Sequence, residues 1–225
     1  MAPASSPDYD ALTLDELAIA LAPAVADAAT FDGWSAEAVA MAAEMEGVDP
    51  DVARLAFPGG AMDMIEAWVA HTDAAMASAL PAGDLARMKV RERIRALVQF
   101  RLDAAAGREE ALRRALAIQT MPQNAPRALR TGWNSADLMW NLAGDTATDY
   151  NHYTKRAILA SIYGACLLAL VNDDSDDKAP TRAFLDRRID GVMRFEKAKA
   201  KLLGGAERER FSMARFLGRL RYPAR

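Results

Sequence analysis

Cysteine occurs once in the 225 residues, at Cys166, so no disulfide can form within the chain and a reducing compartment fits. Histidine occurs twice, as His71 and His152. No His-x-x-x-His, Cys-x-x-Cys or Glu-x-x-His spacing exists, which excludes the common zinc and di-iron arrangements. The acidic run Asp173-Asp174-Ser175-Asp176-Asp177 lacks the glycine and the distal glutamate of a calcium loop and reads as a solvated turn. Phosphate-cradling and dinucleotide glycine motifs are missing, as is Gly-x-Ser-x-Gly. No nucleophile stands at a fixed spacing from a base, so the sequence points away from an enzyme and offers no catalytic residue and no cofactor site. Aromatic residues make up only 7% and no stretch alternates apolar with polar, which argues against strands. No comfortable bilayer span of about 20 apolar residues is present, and no basic-then-apolar signal opens the chain.

Basic residues are also scarce in one region. Residues 1–81 hold a single one, Arg54, against fourteen acids, a net of about −13. The remaining residues carry 27 Lys and Arg against 17 acids, about +10. The overall charge of −3 hides this split, which suggests two lobes with different partners.

What is abundant is Ala, Leu, Arg, Met and Glu, the residues that favour helix. The fold expected is all-α. Residues 1–11, rich in Pro, Ser and Asp, read as a disordered tail. Thr13-x-x-Glu16 is a capping-box pattern opening a helix with Leu14, Leu17, Leu21, Val25 and Ala28 on one face. Ser35 caps a second helix that Gly47 stops. Asp49-Pro50 opens a short third one, and Pro58-Gly59-Gly60 precedes a long fourth. This is the outline of a helix-turn-helix lobe over 12–81. A lobe so acidic would be repelled by phosphates, so nucleic acid is not its expected partner. Pro81-Ala82-Gly83 marks a boundary, after which 82–203 reads as a larger helical lobe. A basic amphipathic helix is expected over 85–106, with Ile94, Leu97, Val98 and Leu102 inward, and another over 108–120. After Gly204-Gly205, residues 206–225 place Met213, Phe216, Leu217 and Leu220 at helical spacing with arginines on the far side. That describes either a helix packed on the body or one lying in an anionic membrane surface.

The chain turns on residues 136–171. One helical pattern carrying Leu138, Met139, Trp140 and Leu142 stops at Gly144-Asp145, and a second restarts after Thr148 or Asp149. Asp149, His152, Tyr153 and Arg156 then fall at i, i+3, i+4 and i+7, on one stripe. Beyond them residues 157–171 are apolar nearly all round, which marks either plain core or a cavity wall. As a lipid cavity it would be lined by Leu97, Leu138, Leu142, Ile158, Ile162 and Leu167. Arg156 would then stand at the mouth as a cation for a headgroup phosphate.

The run Asp-Leu-Met-Trp-Asn-Leu-Ala-Gly-Asp-x-x-Thr-Asp-Tyr-Asn-x-Tyr-Thr-Lys-Arg-Ala over 137–157 resembles the signature of the ubiquinone-biosynthesis accessory family, the ninth component of the coenzyme Q pathway. Thr-x-x-Phe-Leu-x-x-Arg-Ile at 181–189 adds to it. The resemblance implies a TetR-regulator-like fold that has lost DNA binding, with a C-terminal lobe that forms a homodimer and binds isoprenoid quinone or phospholipid. It implies a non-enzymatic protein that presents its lipid to the demethoxyubiquinone di-iron hydroxylase, with the terminal helix in peripheral contact with the membrane. The partner-facing residues would be Asp137, Met139, Asp149, His152 and Tyr153, and the headgroup contact Arg156. Relatives from mitochondria usually carry Trp where this chain has His152, which buries less apolar area. The lack of a presequence suggests a bacterial member in the cytoplasm, at the face of the inner membrane. The competing reading is a ligand-responsive regulator of the TetR type, which would need a basic face on the first three helices.

Overall fold

The structure, a computed structural model, describes residues 8–146, 150–192 and 194. Among them every regular element is helical, as the composition predicts. The described residues up to Phe184 form one compact unit. The second unit, 185–225, is described only over 185–192 and 194, and these residues are helical. The expected terminal helix with Met213, Phe216, Leu217 and Leu220 lies outside the described residues.

Local signals set the first three helices. Helix α1, Leu14–Asp32, begins with the capping box: the Glu16 N–H donates to Thr13 Oγ1, and the Thr13 N–H donates to Glu16 Oε2 at 2.9 Å. Helix α2, Ala36–Glu46, is capped by Ser35 and ends at Gly47, whose φ of +74° suits glycine. Helix α3, Pro50–Leu55, has Asp49 as its cap and Pro50 in its first turn. Leu17, Leu21, Val25 and Val39 are buried between these helices, whereas Leu14, at the outer end of the stripe, is exposed. Helix α4, Ala61–Ala79, lies against α1. Trp34 closes the base of this lobe. Its ring stands 5.5 Å from that of Trp68, and its Nε1–H donates to the carbonyl of Ala111 at 2.9 Å.

The single helix expected over 85–106 is divided. A short turn of helix, α5, spans Ala82–Leu85, and α6 spans Val90–Ala105. Side chains satisfy the backbone at the break. Glu92 accepts from the Lys89 N–H at 3.1 Å, and Arg93 donates to the carbonyls of Ala86 and Met88. Helix α7, Glu109–Gln119, and helix α8, Ala125–Leu142, follow, and helix α9, Tyr150–Leu170, runs back. The acidic loop after α9 is tied rather than merely solvated. Asp173 accepts from the hydroxyls of Ser175 and Thr181, each at 2.6 Å, and from the Thr181 N–H. These donors hold its carboxyl well below the usual carboxylate range.

The charge split has an internal use. Arg108 pairs with Asp27 on α1, Arg127 with Asp63 and Glu66 on α4, and Arg101 with Asp73 on α4. Arg114 donates to the Phe31 carbonyl at the C-terminal end of α1, where the helix dipole favours a cation. Hydrogen bonds that it donates to Glu66 and Asp63 hold the pKa of the Arg127 guanidinium above its ordinary value. Part of the asymmetry read as two lobes for two partners is thus met within the chain, where four acids of the first 81 residues pair with arginines of later helices.

Candidate functional site

Helices α8 and α9 meet at an elbow built by the stretch that dominates the sequence. Gly144, at φ +83°, lets the chain leave α8, and the Asp145 N–H donates to the Trp140 carbonyl at 2.9 Å. Arg156 on α9 fills the corner. Its Nε–H donates to Asp137, its two terminal nitrogens to Asp145 at 3.2 Å and Asn141 at 3.3 Å. Lys155 also pairs with Asp145, at 2.6 Å, and the Trp140 indole N–H donates to the Lys155 carbonyl at 3.0 Å. Arg156 is 1% exposed and does not line the cavity described below. The expectation that it stands as a cation at a cavity mouth is therefore corrected. All three guanidinium nitrogens already have acceptors, and the side chain pins two helices together.

The outer face of the elbow is aromatic. Tyr153 is 62% exposed, with the His152 ring edge-on at 5.1 Å and the Trp133 ring tilted at 6.1 Å. Leu129, one turn before Trp133 on α8, is 75% exposed. Asp137 is partly exposed beside them. Of the residues expected to face a partner, Asp137, His152 and Tyr153 thus lie together. Met139 does not join them: it is 0% exposed, because the inner side of α8 carries it into the core. Asp149 lies outside the described residues. Trp133 was readable as a neighbour, since Leu129, Trp133 and Asp137 repeat every four residues on α8.

A cavity of about 180 Å³ opens among α4, α6, α7, α8 and α9. Ile65, Trp68, Leu112, Leu116 and Leu167 supply much of its apolar wall. Of the expected wall only Leu167 is there. Leu97, Leu138, Leu142, Ile158 and Ile162 do not line it. Leu97 and Ile162 are buried in the helix contacts, and Leu138, Leu142 and Ile158 are half-buried. The space exists because the facing positions on α8 and α9 are small: Ala128 and Gly132, Ala160 and Gly164.

Thr72, Thr131 and Gln119 add polar groups to the wall, and a buried charged corner lies at Arg101. Arg101, 1% exposed, donates to Asp73 through one terminal nitrogen and to Ser135 Oγ through the other, at 3.2 Å. The Ser135 hydroxyl donates on to Asp73 at 3.1 Å, and the guanidinium lies 4.8 Å from the centre of the Tyr163 ring. No sequence expectation included Arg101. Yet it follows Leu97 by four and Val98 by three, on the inward stripe of α6, and that spacing was the available signal. Among the described residues, no group of His, Cys, Asp and Glu could hold a metal ion.

Comparisons with known proteins agree with this architecture. Residues 125–196 match the family COQ9. The rat mitochondrial ubiquinone biosynthesis protein COQ9 is 34% identical over 168 residues, which cover 72% of this chain and 54% of that protein. The human protein of the same name is 32% identical over 168 residues, covering 72% and 52%. The chain therefore spans about half the length of the curated relatives it matches. Among solved structures, a TetR transcriptional regulator from Nitrosomonas europaea superposes with a TM-score of 0.61 at 21% identity, over 78% of this chain and 97% of that one. The fold is all-α and TetR-like.

Proposed function

From the premise that residues 125–196 carry the COQ9 family region, we propose that this chain is a non-enzymatic, lipid-binding accessory protein of ubiquinone biosynthesis. It presents an isoprenoid quinone intermediate at the membrane to the demethoxyubiquinone di-iron hydroxylase. The observation that carries the reading is the largely apolar cavity among five helices, floored by small residues and holding a few polar groups. Ligand sites typically have this character, apolar walls with a few placed polar groups. The exposed group Tyr153, His152 and Trp133, with Leu129 and Asp137, supports a protein contact beside it. Aromatic residues are the usual anchors of such contacts.

The remaining parts of the proposal rest on the family resemblance. They are a homodimer, phospholipid as a second possible cargo, and peripheral contact with an anionic inner membrane through residues 206–225. Among the described residues no helix is long and apolar enough to cross a membrane. The regulator reading has less support: the charge of Arg54, the only basic residue of α3, is met by Asp51, leaving little to neutralise phosphates.

The direct test is extraction of protein purified without detergent, followed by mass spectrometry of the organic phase. Isoprenoid quinone or phospholipid in near-stoichiometric amount is expected; protein that carries neither sinks the lipid role. Deleting residues 205–225 is expected to abolish flotation with cardiolipin liposomes, and unchanged flotation removes the membrane contact.

A further inference from the structure

The outer side of the helix-turn-helix pair, α2 and α3, is apolar and acidic at once. Met41 and Met45 on α2 are 46% and 71% exposed, and Val52 and Leu55 on α3 are 42% and 63% exposed. Each pair stands three or four residues apart and so shares one side of its helix, while Val39, Ala42, Ala43 and Ala53 take the inner side. The two helices pack on each other. Their outer sides also meet electrically. Glu37, one turn before Met41, has its carboxyl held below the usual range by its own backbone N–H, by the Ser35 hydroxyl and by the charge of Arg54, the residue before Leu55. Single exposed apolar side chains are ordinary on a surface. Four on one pair of packed helices are the mark of a contact.

The charge around them narrows the partner. Between residues 36 and 57, Glu37, Glu44, Glu46, Asp49 and Asp51 stand against Arg54 alone, a net of about −4. Asp51 meets the charge of Arg54. The arginines that later helices send into the first 81 residues pair with Asp27, Asp63, Glu66 and Asp73, on α1 and α4 rather than on this face. A helix-turn-helix that reads a duplex lays its second helix in the major groove. Here that helix would bring acids and bare apolar side chains to phosphates, which is unfavourable. The opposite chemistry fits. An amphipathic helix buries its apolar side in such a patch, and lysines or arginines along its edges meet the acids. Methionine suits the contact, since its unbranched, polarisable side chain adapts to the shape it meets.

We propose that the outer face of α2 and α3 is a docking surface for a basic amphipathic helix of a partner protein. Met41, Met45, Val52 and Leu55 receive its apolar side, and Glu37, Glu44 and Asp49 receive its cations. The surface is built on other helices than the elbow, and its assignment does not depend on the lipid-presenting reading.

Three labelled peptides test this by fluorescence anisotropy with the full chain. The first repeats the heptad Leu-Lys-Lys-Leu-Leu-Lys-Leu, which forms a basic amphipathic helix. The second holds the same residues reordered so that no helical side is apolar, and the third has Glu in place of every Lys. The first is expected to bind at least tenfold more tightly than either of the others. Met45→Gln combined with Leu55→Gln should weaken it at least tenfold, whereas Leu129→Gln, an equally exposed change at the elbow, should leave it unchanged. The replaced side chains are mostly exposed, and the ranking of the three peptides in wild type needs no variant. Equal binding of the reordered peptide would show that charge alone acts and overturns the proposal. Binding that survives the double variant, or that Leu129→Gln removes, places the peptide elsewhere and overturns it too. Sub-micromolar binding of duplex DNA that the double variant abolishes would give this face to nucleic acid instead.

Discussion

Arg101 and Arg156 are each 1% exposed, and each lies opposite an aspartate, yet they belong to different kinds of place. At the elbow Arg156 spends all three guanidinium nitrogens on Asp137, Asp145 and Asn141, and it does not line the cavity. At the cavity Arg101 spends two, on Asp73 and Ser135, its Nε–H is buried without a partner, and Gly132, Gly164 and Tyr163 line the space with it. A buried cation alone therefore says little about role. The volume beside the side chain separates a pin from a residue that lines a cavity.

The largest effect should come from the pin. Arg156→Met removes the cation that Asp137 and Asp145 share, but Asp145 keeps Lys155 and Asp137 is partly exposed, so the loss should fall at the lower end of the ~3–5 kcal/mol that breaking a buried ion pair costs. Urea unfolding is expected to show a loss in that range. A loss below about 1 kcal/mol would mean that the elbow is held some other way and that the contrast with Arg101 is false.

A smaller loss is expected at the loop that follows α9. Asp173 is depressed by the hydroxyls of Ser175 and Thr181, so its stabilisation is fully present above the unfolded carboxylate value, about 3.9. That contribution fades as pH falls through the lower, folded value. Asp173→Asn should thus melt several degrees below wild type at pH 7, with the gap closing as both are acidified to about pH 2, well below the ordinary value. A gap that is constant from pH 7 to pH 2 would show that the charge is not what matters. The third change has the opposite sign. Gly132→Ala adds helix propensity in a place where nothing meets the new Cβ, and should stabilise the unliganded protein by about 1 kcal/mol. A destabilised variant would mean that the cavity wall is tighter than it stands here.

The helices were legible because their ends carry local chemistry. Thr13 with Glu16, Ser35, Asp49-Pro50 and Gly144 each act within four residues, so the sequence holds both partners of each interaction. The cavity was not legible in the same way. Leu97, Ile158 and Ile162 lie on apolar stripes, but a stripe fixes only an inward direction, and which neighbour it meets depends on five helices at once. Arg101 was hidden among the arginines of a basic helix, and its partner Asp73 lies 28 residues away. The spacing puts Arg156 at a cavity mouth, whereas its partners are at the elbow and it does not line the cavity. One stripe at i+3 and i+4 spans enough arc for Tyr153 to face out while Arg156 faces in. The break at residues 86–89 depends on Arg93 and Glu92 supplying backbone partners, which periodicity alone does not register.

Tyr153 offers the smallest expected change in stability and the sharpest test of what the outer face of the elbow is for. Its side chain is mostly exposed and its ring contacts are with Trp133 and His152, two residues on the same surface. Substitutions at such positions usually stay within about 0.5 kcal/mol. Tyr153→Ala is therefore expected to melt with wild type and to carry the same extracted lipid, because the cavity lies on the inner side of α8 and α9. If the aromatic group is a protein anchor, the same variant should lose capture of the di-iron hydroxylase, since a few aromatic residues usually carry most of the energy of an interface. Capture retained at wild-type level would remove Tyr153 from the contact. Loss of capture together with loss of stability would instead make the aromatic group part of the pin at Arg156, and the two faces of the elbow would no longer be separable.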